Sequence, residues 1–218
     1  MQLGVGKLVN ITKLTEDYIA QHPSIKDCLK KGMINYSSLT RQICGDLNLE
    51  LKKNFDAILI ACRRYHRKVS KEAVLENKII KILKGSKLEV KNKIVVVLVE
   101  KDIYYGHLIE LQKEIKKKSE LFHIIEGSNT ITVITSYEFL SFVKRLFKNK
   151  IIKINENLAE VILKSSKDME KTLGVIAYLS TLLAENGINI IETMSTWTDT
   201  LFVIDEKDIA KVMGLLRF

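Results

Sequence analysis

The sequence predicts an α+β fold: a basic helical head, then two tandem copies of a small unit with an antiparallel sheet. Three observations predict it. The first third carries helical periodicities broken by turns, together with most of the excess positive charge. The remaining two-thirds twice follows the order strand, helix, strand, strand, helix. The later parts of these two copies align at a constant offset of seventy positions, which argues for internal duplication. The expected boundaries are a head over 1–85, a first unit over 86–155 and a second over 156–218.

The composition supports a folded chain. Of 218 residues 46% are hydrophobic and 28% charged, with one proline, so neither disorder nor a long linker is indicated. No apolar run nears the roughly 18 residues that span a bilayer, and the start Met1-Gln2-Leu3-Gly4-Val5-Gly6 lacks the pattern of a secretory signal. A cytoplasmic location without membrane contact is the expectation. Gly4-Val5-Gly6 precedes no strand and reads as a flexible start rather than a phosphate loop. The net charge is +9: residues 1–70 hold twelve Lys/Arg against six Asp/Glu, and residues 71–218 hold 23 against 20. Cys28, Cys44 and Cys62 form no C-x-x-C pair, and His22, His66, His107 and His123 are scattered, so free thiols and no metal are expected.

In chain order, Ile11, Leu14, Tyr18 and Ile19 predict a first helix ending before Pro23. Ser24 is read as the cap of a second, with Ile25, Cys28 and Leu29 inward and Gly32 as its end. Ser37 is read as the cap of a third bearing Leu39 and Ile43. Residues 47–53 read as a loose link, and Asn54 or Asp56 as the start of a longer helix to about Val69. That sequence of helices is the outline of a helix-turn-helix or winged-helix head. In the last helix Ile58, Cys62, Tyr65 and Val69 share one face. Arg63, Arg64, Arg67 and Lys68 project away from it. They suit contact with DNA phosphates and base edges, or simply a solvated cationic face.

Residues 71–84 continue as a helix with Leu75, Ile79 and Ile82 inward. Leu88 and Val90 alternate as a strand, either a wing or an extra strand of the first unit, with a turn at Lys91-Asn92-Lys93. The first unit is then a strand at 94–99, a helix around Leu108, Leu111 and Ile115, a strand at 121–125, a turn at Gly127 and a strand at 130–134. Thr135 with Glu138 reads as a capping box, followed by a helix on Phe139, Phe142, Val143 and Leu146. Ile151, Ile152 and Ile154 supply its fourth strand, and residues 155–157 join the units. The second unit repeats the order with a strand at 158–163, a helix from Leu173 closed by Asn186-Gly187, and a strand at 188–191. A hairpin around Trp197, a strand at 200–204 and a helix capped by Asp205 complete it. No fourth strand follows, so its sheet is expected to need cover from another strand or helix, within the chain or across a dimer.

The run Gly174-Val175-Ile176-Ala177, followed by Leu183-Ala184-Glu185-Asn186-Gly187-Ile188-Asn189-Ile190, resembles the regulatory ACT domain. There a Gly opens the first helix and a Gly-Ile-Asn-Ile type turn leads to the second strand. The resemblance covers about 91–218 and is stronger in the second copy. In the first copy Gly106 matches the opening Gly, and Lys117-Lys118-Ser119 replaces the turn. It implies ferredoxin-like βαββαβ units that pair side by side, often with an amino acid bound where units meet. A helical basic head before two such units is similar to archaeal ACT-containing proteins.

Catalytic motifs are absent: there is no Walker loop, no dinucleotide fingerprint and no H-E-x-x-H, so an enzyme is not expected, nor a cofactor. The candidate ligand site is the loop from Ser165 to Gly174. Free amides at the following helix start suit a carboxylate. Asp168, between Lys167 and Met169, suits an ammonium, and Asn189 offers an amide. The plain alternative is a capped helix start without ligand. The expected function is a regulatory protein sensing an amino acid through ACT-like units, with a DNA-binding head and a homodimer formed through the sheets. The alternative is a regulatory or assembly subunit that docks on a metabolic enzyme without binding nucleic acid.

Overall fold

A computed structural model describes residues 10–70, 76–118 and 120–218; Gly4-Val5-Gly6, Leu75 and Ser119 lie outside the described residues. The chain folds as two compact units, Met1–Val74 and Leu75–Phe218.

The described part of the first unit is helical. Helix α1 (Ile11–Gln21) starts behind Asn10, whose side chain accepts from the Lys13 amide at 3.1 Å. Pro23 takes the first position of α2 (Pro23–Lys30), where its missing N–H costs nothing, so Ser24 is not the expected cap. Helix α3 (Tyr36–Asp46) is capped by Asn35, which accepts from the Ser38 amide at 3.0 Å; Ser37 is not the cap either. Helix α4 (Leu51–Val69) begins ahead of the expected Asn54 or Asp56, because Glu50 starts it without a side-chain cap bond and leaves no cap signature. Helices α2 and α3 end alike. Gly32 and Asn48 take positive φ, and the amides of Met33 and Leu49 donate back to Cys28 and Cys44. Helix α4 packs on α1, α2 and α3. Ile58, Ala61, Cys62, Tyr65 and Val69 face a core that holds Ile19, Leu29 and Ile43. Cys44 and Cys62 are buried free thiols and Cys28 is half-buried.

A long-range polar bond helps tie this core. The Tyr18 hydroxyl donates to Asp46 Oδ2 at 2.5 Å. Burial, reinforced by that carboxylate, pushes the Tyr18 phenol up to about 12. The folded head therefore favours the neutral phenol. Its contribution to stability is complete below about pH 10, the ordinary tyrosine value, and is lost as pH rises toward 12. Denaturant titrations at pH 8 and 11.5 should show the head weakening, and Tyr18→Phe should remove that part of the slope.

The second unit is one six-stranded antiparallel sheet with helices on one face. Its described elements are α5 (Glu76–Lys84), β1 (Lys87–Glu100), α6 (Tyr105–Lys117), β2 (Phe122–Glu126), β3 (Thr130–Ser136), α7 (Leu140–Phe147), β4 (Ile151–Lys164), the single turn α8 (Asp168–Lys171), α9 (Val175–Glu185), β5 (Glu192–Thr196), β6 (Asp199–Asp205) and α10 (Ile209–Leu215). The strand order is β2-β3-β1-β4-β6-β5. Helix α5 places Ile79 and Leu83 in the core beneath β4, so residues 76–84 belong to this unit rather than to the head.

The middle of the sheet departs most from the expected segmentation. Two short strands and a turn merge into β1, and two strands and a joiner merge into β4; each is 14 residues long. Residues 94–99 of β1 and 151–155 of β4 complete the first half. Residues 158–164 of β4 begin the second half, and residues 87–91 of β1 pair with them, Leu88 opposite Leu163 and Val90 opposite Val161. The edge expected to lack a partner is covered from within the chain, and the segment read as a possible wing is that cover. Both strands carry a residue at positive φ where they cross between halves, Lys93 (53°) and Asn157 (59°), beside register shifts that bend the ladder.

The duplication holds, with a corrected offset. Strands β3 and β6 begin at Thr130 and Asp199, and α7 and α10 at Leu140 and Ile209, 69 positions apart in both cases. Val143 and Phe147 thus match Val212 and Leu216 in the two cores. The seventy-position alignment paired Val133, which faces helices, with Val203, which does not. A slip of one residue reverses every strand side chain. The Thr135–Glu138 box does not form. Thr135 ends inside β3, where its hydroxyl donates to the Leu121 carbonyl at 2.9 Å. Asp205 does cap its turn, accepting from the Lys207 amide.

The strand expected at 188–191 begins later, at Glu192. The preceding residues finish α9. Gly187 has φ +70° and donates to Ala184, Ile188 donates to Leu183, and Ile188 packs in the same core as Leu183.

The face without helices is also buried. Ile94, Val96, Leu121, Ile134, Leu158 and Val203 form one cluster there. The sheet covers it by curling. His123 Nε2 on β2 lies 2.7 Å from Glu160 Oε1 on β4. With β3 and β1 between them, a flat sheet would hold those strands about 14 Å apart, three spacings of about 4.8 Å.

Candidate functional site

The expected ligand loop leaves β4 at Lys164, passes the single turn α8 and enters α9. Gly174 stands at the N-cap of α9 with φ +86°, and no side chain caps the amides behind it. A helix start without a cap leaves donors for a carboxylate or for water. An open groove of about 510 Å³ lies against it, lined by Met169, Glu170, Gly174, Ile176, Ser195 and Trp197 among others. Trp197 sits at the β5–β6 turn and is 60% exposed. The Lys167 ammonium is 5.0 Å from the centre of its ring. The hairpin tip was legible in the sequence; that it meets the start of α9 was not, because the two are 23 residues apart and joined only by the sheet register.

The structure brings together only part of the expected set. Gly174, Met169 and Lys167 gather around the groove, although Met169 is buried and offers mostly its edge. Asp168 lines a different groove, with Lys78, Lys81 and Lys171. Asn189 lines a third pocket, beside Lys153 and Glu192. Glu192 is half-buried, and burial raises its carboxyl above the ordinary range. Gly106 is not the conformational match of Gly174: it lies inside the first turn of α6 without positive φ, under the Tyr104 ring.

On the head, Arg63, Arg64, Arg67 and Lys68 are all exposed on α4, as their spacing predicts. They differ in their surroundings. Arg63 lies 5.9 Å over the Tyr36 ring, and Lys68 is 3.7 Å from Glu16. Arg64 and Arg67 make no ion pair among the described residues. His66 Nδ1 contacts the Tyr36 hydroxyl, which fixes the outward face of α4 against α3. No described helix is long and apolar enough to cross a membrane.

Comparisons with known proteins bear on the second unit. The profile of the ACT domain matches residues 153–217. No curated protein matches the chain. Among solved structures, the aspartate kinase of Clostridium acetobutylicum shares 17% identity at a TM-score of 0.50, covering 60% of this chain and 33% of that one. The regulatory subunit of aspartate kinase from Thermus thermophilus shares 12% at 0.47, covering 59% and 92%. A Vibrio cholerae protein of unknown function, described as a possible transport protein, shares 11% at 0.46, covering 65% and 95%. This chain spans about a third of the length of the Clostridium enzyme. At such identities the likeness is one of fold. The βαββα order of residues 153–217, with its edge completed by residues 87–91, and the left-handed Gly174 agree with the ACT-domain match to residues 153–217.

Proposed function

We propose that this chain is a non-enzymatic regulatory protein whose ACT domain senses an amino acid. The observation that carries this reading is the uncapped start of α9 behind Gly174, open to a groove flanked by Trp197 within the ACT-matched residues. Backbone amides there suit the ligand's carboxylate, and the Trp197 face suits its side chain. A thermal-shift screen with the twenty amino acids tests it. A ligand at about one hundred times its dissociation constant should stabilise the fold by about 2.7 kcal/mol. A flat response to all twenty would remove the support for sensing. Gly174→Val should weaken a ligand held there, because a β-branched residue resists positive φ.

A second reading concerns the head, and the exposed cations of α4 favour it. Arg63, Arg64, Arg67 and Lys68 would meet duplex phosphates, and ligand binding would alter how paired copies present their heads. Duplex affinity should then fall steeply with salt, and the pair Arg64→Ala with Arg67→Ala should reduce the slope by about two units of log affinity per log salt. If no duplex is retained at low salt while a metabolic enzyme co-purifies, the chain is instead a docking subunit. The aspartate kinase likeness is compatible with that role.

A further inference from the structure

We infer that the pocket on the inner face of the curled sheet is a second ligand site, independent of the groove at α9, and that it takes a small zwitterion bearing an ammonium and a carboxylate. The sheet register puts its walls on one face. Leu98 is opposite Lys153, Val96 opposite Asn155, and Glu192 opposite Val203. Leu158 lies beside them in the buried cluster. The far wall is the run Asn189 to Ile191 between α9 and β5, which the Ile191 amide ties to the sheet by donating to the Val203 carbonyl at 2.8 Å. The space is an open cleft of about 660 Å³, within the range of small-molecule sites.

The pocket's polar groups are opposite in sign and unspent. Glu192 offers a half-buried carboxylate, Lys153 an ammonium, and Asn155 and Asn189 two amides; none of the four side chains has an ion pair or hydrogen bond among the described residues. Burial of Glu192 without a cation is a standing cost, and it raises that carboxyl. A ligand ammonium beside Glu192 would remove the cost. Lys153 and the amides would take the carboxylate, and Leu98 and Leu158 would receive the apolar part. Glu156 at the margin adds a second acid, so the ammonium end is the better-recognised one.

The duplication supplies an internal comparison. Shifted by 64 positions, Leu158 falls on Ile94 and Leu98 on Ile162. The equivalent place in the first half is therefore bounded by the run before β2. There the space is closed by the chain itself: Leu121 is buried against Ile94, and His123 meets the fully buried Glu160. Two copies of one architecture thus treat the same location differently. One fills it with an apolar side chain and the His123–Glu160 contact; the other leaves it open, with Lys153 and Glu192 unmatched.

The test is calorimetric titration of the full chain with each of the twenty amino acids, then of Glu192→Gln, Lys153→Met and Gly174→Val. The expected result is two binding events in the wild type: one that Glu192→Gln and Lys153→Met each weaken about tenfold or more and Gly174→Val leaves unchanged, and one at α9 that Gly174→Val alone weakens. The bound amino acid's 2-oxo counterpart, which lacks the ammonium, should fail to bind this pocket. Melting curves on the same samples verify folding, and exposed Lys153 is the variant least able to disturb it. Unchanged affinity in both Glu192→Gln and Lys153→Met overturns the inference. A single binding event, lost in Gly174→Val alone, overturns it too, while leaving the sensing reading intact. No binding by any amino acid overturns both.

Discussion

Replacing His123 with leucine is expected to destabilise the second unit by about 3–5 kcal/mol. The reason lies with the partner left behind. Glu160 is fully buried, and among the described residues the one polar side-chain contact given for it is His123 Nε2, 2.7 Å from Oε1. Removing the imidazole strands a carboxyl group between strands of a folded sheet. The companion double variant, His123→Leu with Glu160→Leu, should recover all of that loss and exceed the wild type by as much as about 1–4 kcal/mol, since a well-packed apolar pair avoids desolvating two polar groups. Urea unfolding followed by tryptophan fluorescence reads this directly. The chain has one tryptophan, Trp197, so the signal comes from the second unit alone. A loss below about 1 kcal/mol for His123→Leu would mean that the pair does not hold the curl, because exposed pairs are worth about that much.

Phe202→Ala is expected to cost about 3–5 kcal/mol by the same measurement. Phe202 is completely buried on the helix-facing side of β6, in the core shared by Leu179, Leu183, Val161 and Val212. Its partner on β4 is Val161, which in turn pairs with Val90 of β1. The cavity would therefore open beneath three strands that cannot collapse onto it without breaking their ladders. Ile152→Ala, on a residue 54% exposed, is the control and should stay within about 0.5 kcal/mol.

The sequence was most legible where pattern and packing coincide. Ile58, Cys62, Tyr65 and Val69 repeat at helical spacing and are the buried face of α4. The hairpin at Trp197 and the Asp205 cap are local devices with local signatures. What escaped was set by distance. Lys91-Asn92-Lys93 and Asn155-Glu156-Asn157 look like turns because they are polar and short. They are strand instead, because each lies opposite the other strand's crossing and the long ladder carries them through. Ile188 looks like the start of a strand because it is β-branched; the apolar contact that closes α9 claims it first. The one-residue difference in the repeat has the same origin, since residues 130–134 and 200–204 are apolar runs opening on Thr that match well in the wrong register, and only facing helices tell the two apart. Of the residues around the groove at α9, Met169 and Gly174 are candidates that the sequence offers, because they are near in the chain; Trp197 and Ser195 are not, because the sheet alone brings them near.

The crossing of β1 and β4 has a bearing on how this protein can be divided. The stretch that resembles an ACT domain ends its first strand beside Lys87–Lys91, a peptide that lies some sixty residues upstream of the match. Excised alone, residues 153–217 would present an open ladder in place of a finished sheet and should associate or fail to fold. Neither half is an autonomous building block. Each lends the other a strand, so melting of one exposes the other, and a perturbation at either end of the sheet is felt as a single all-or-none event.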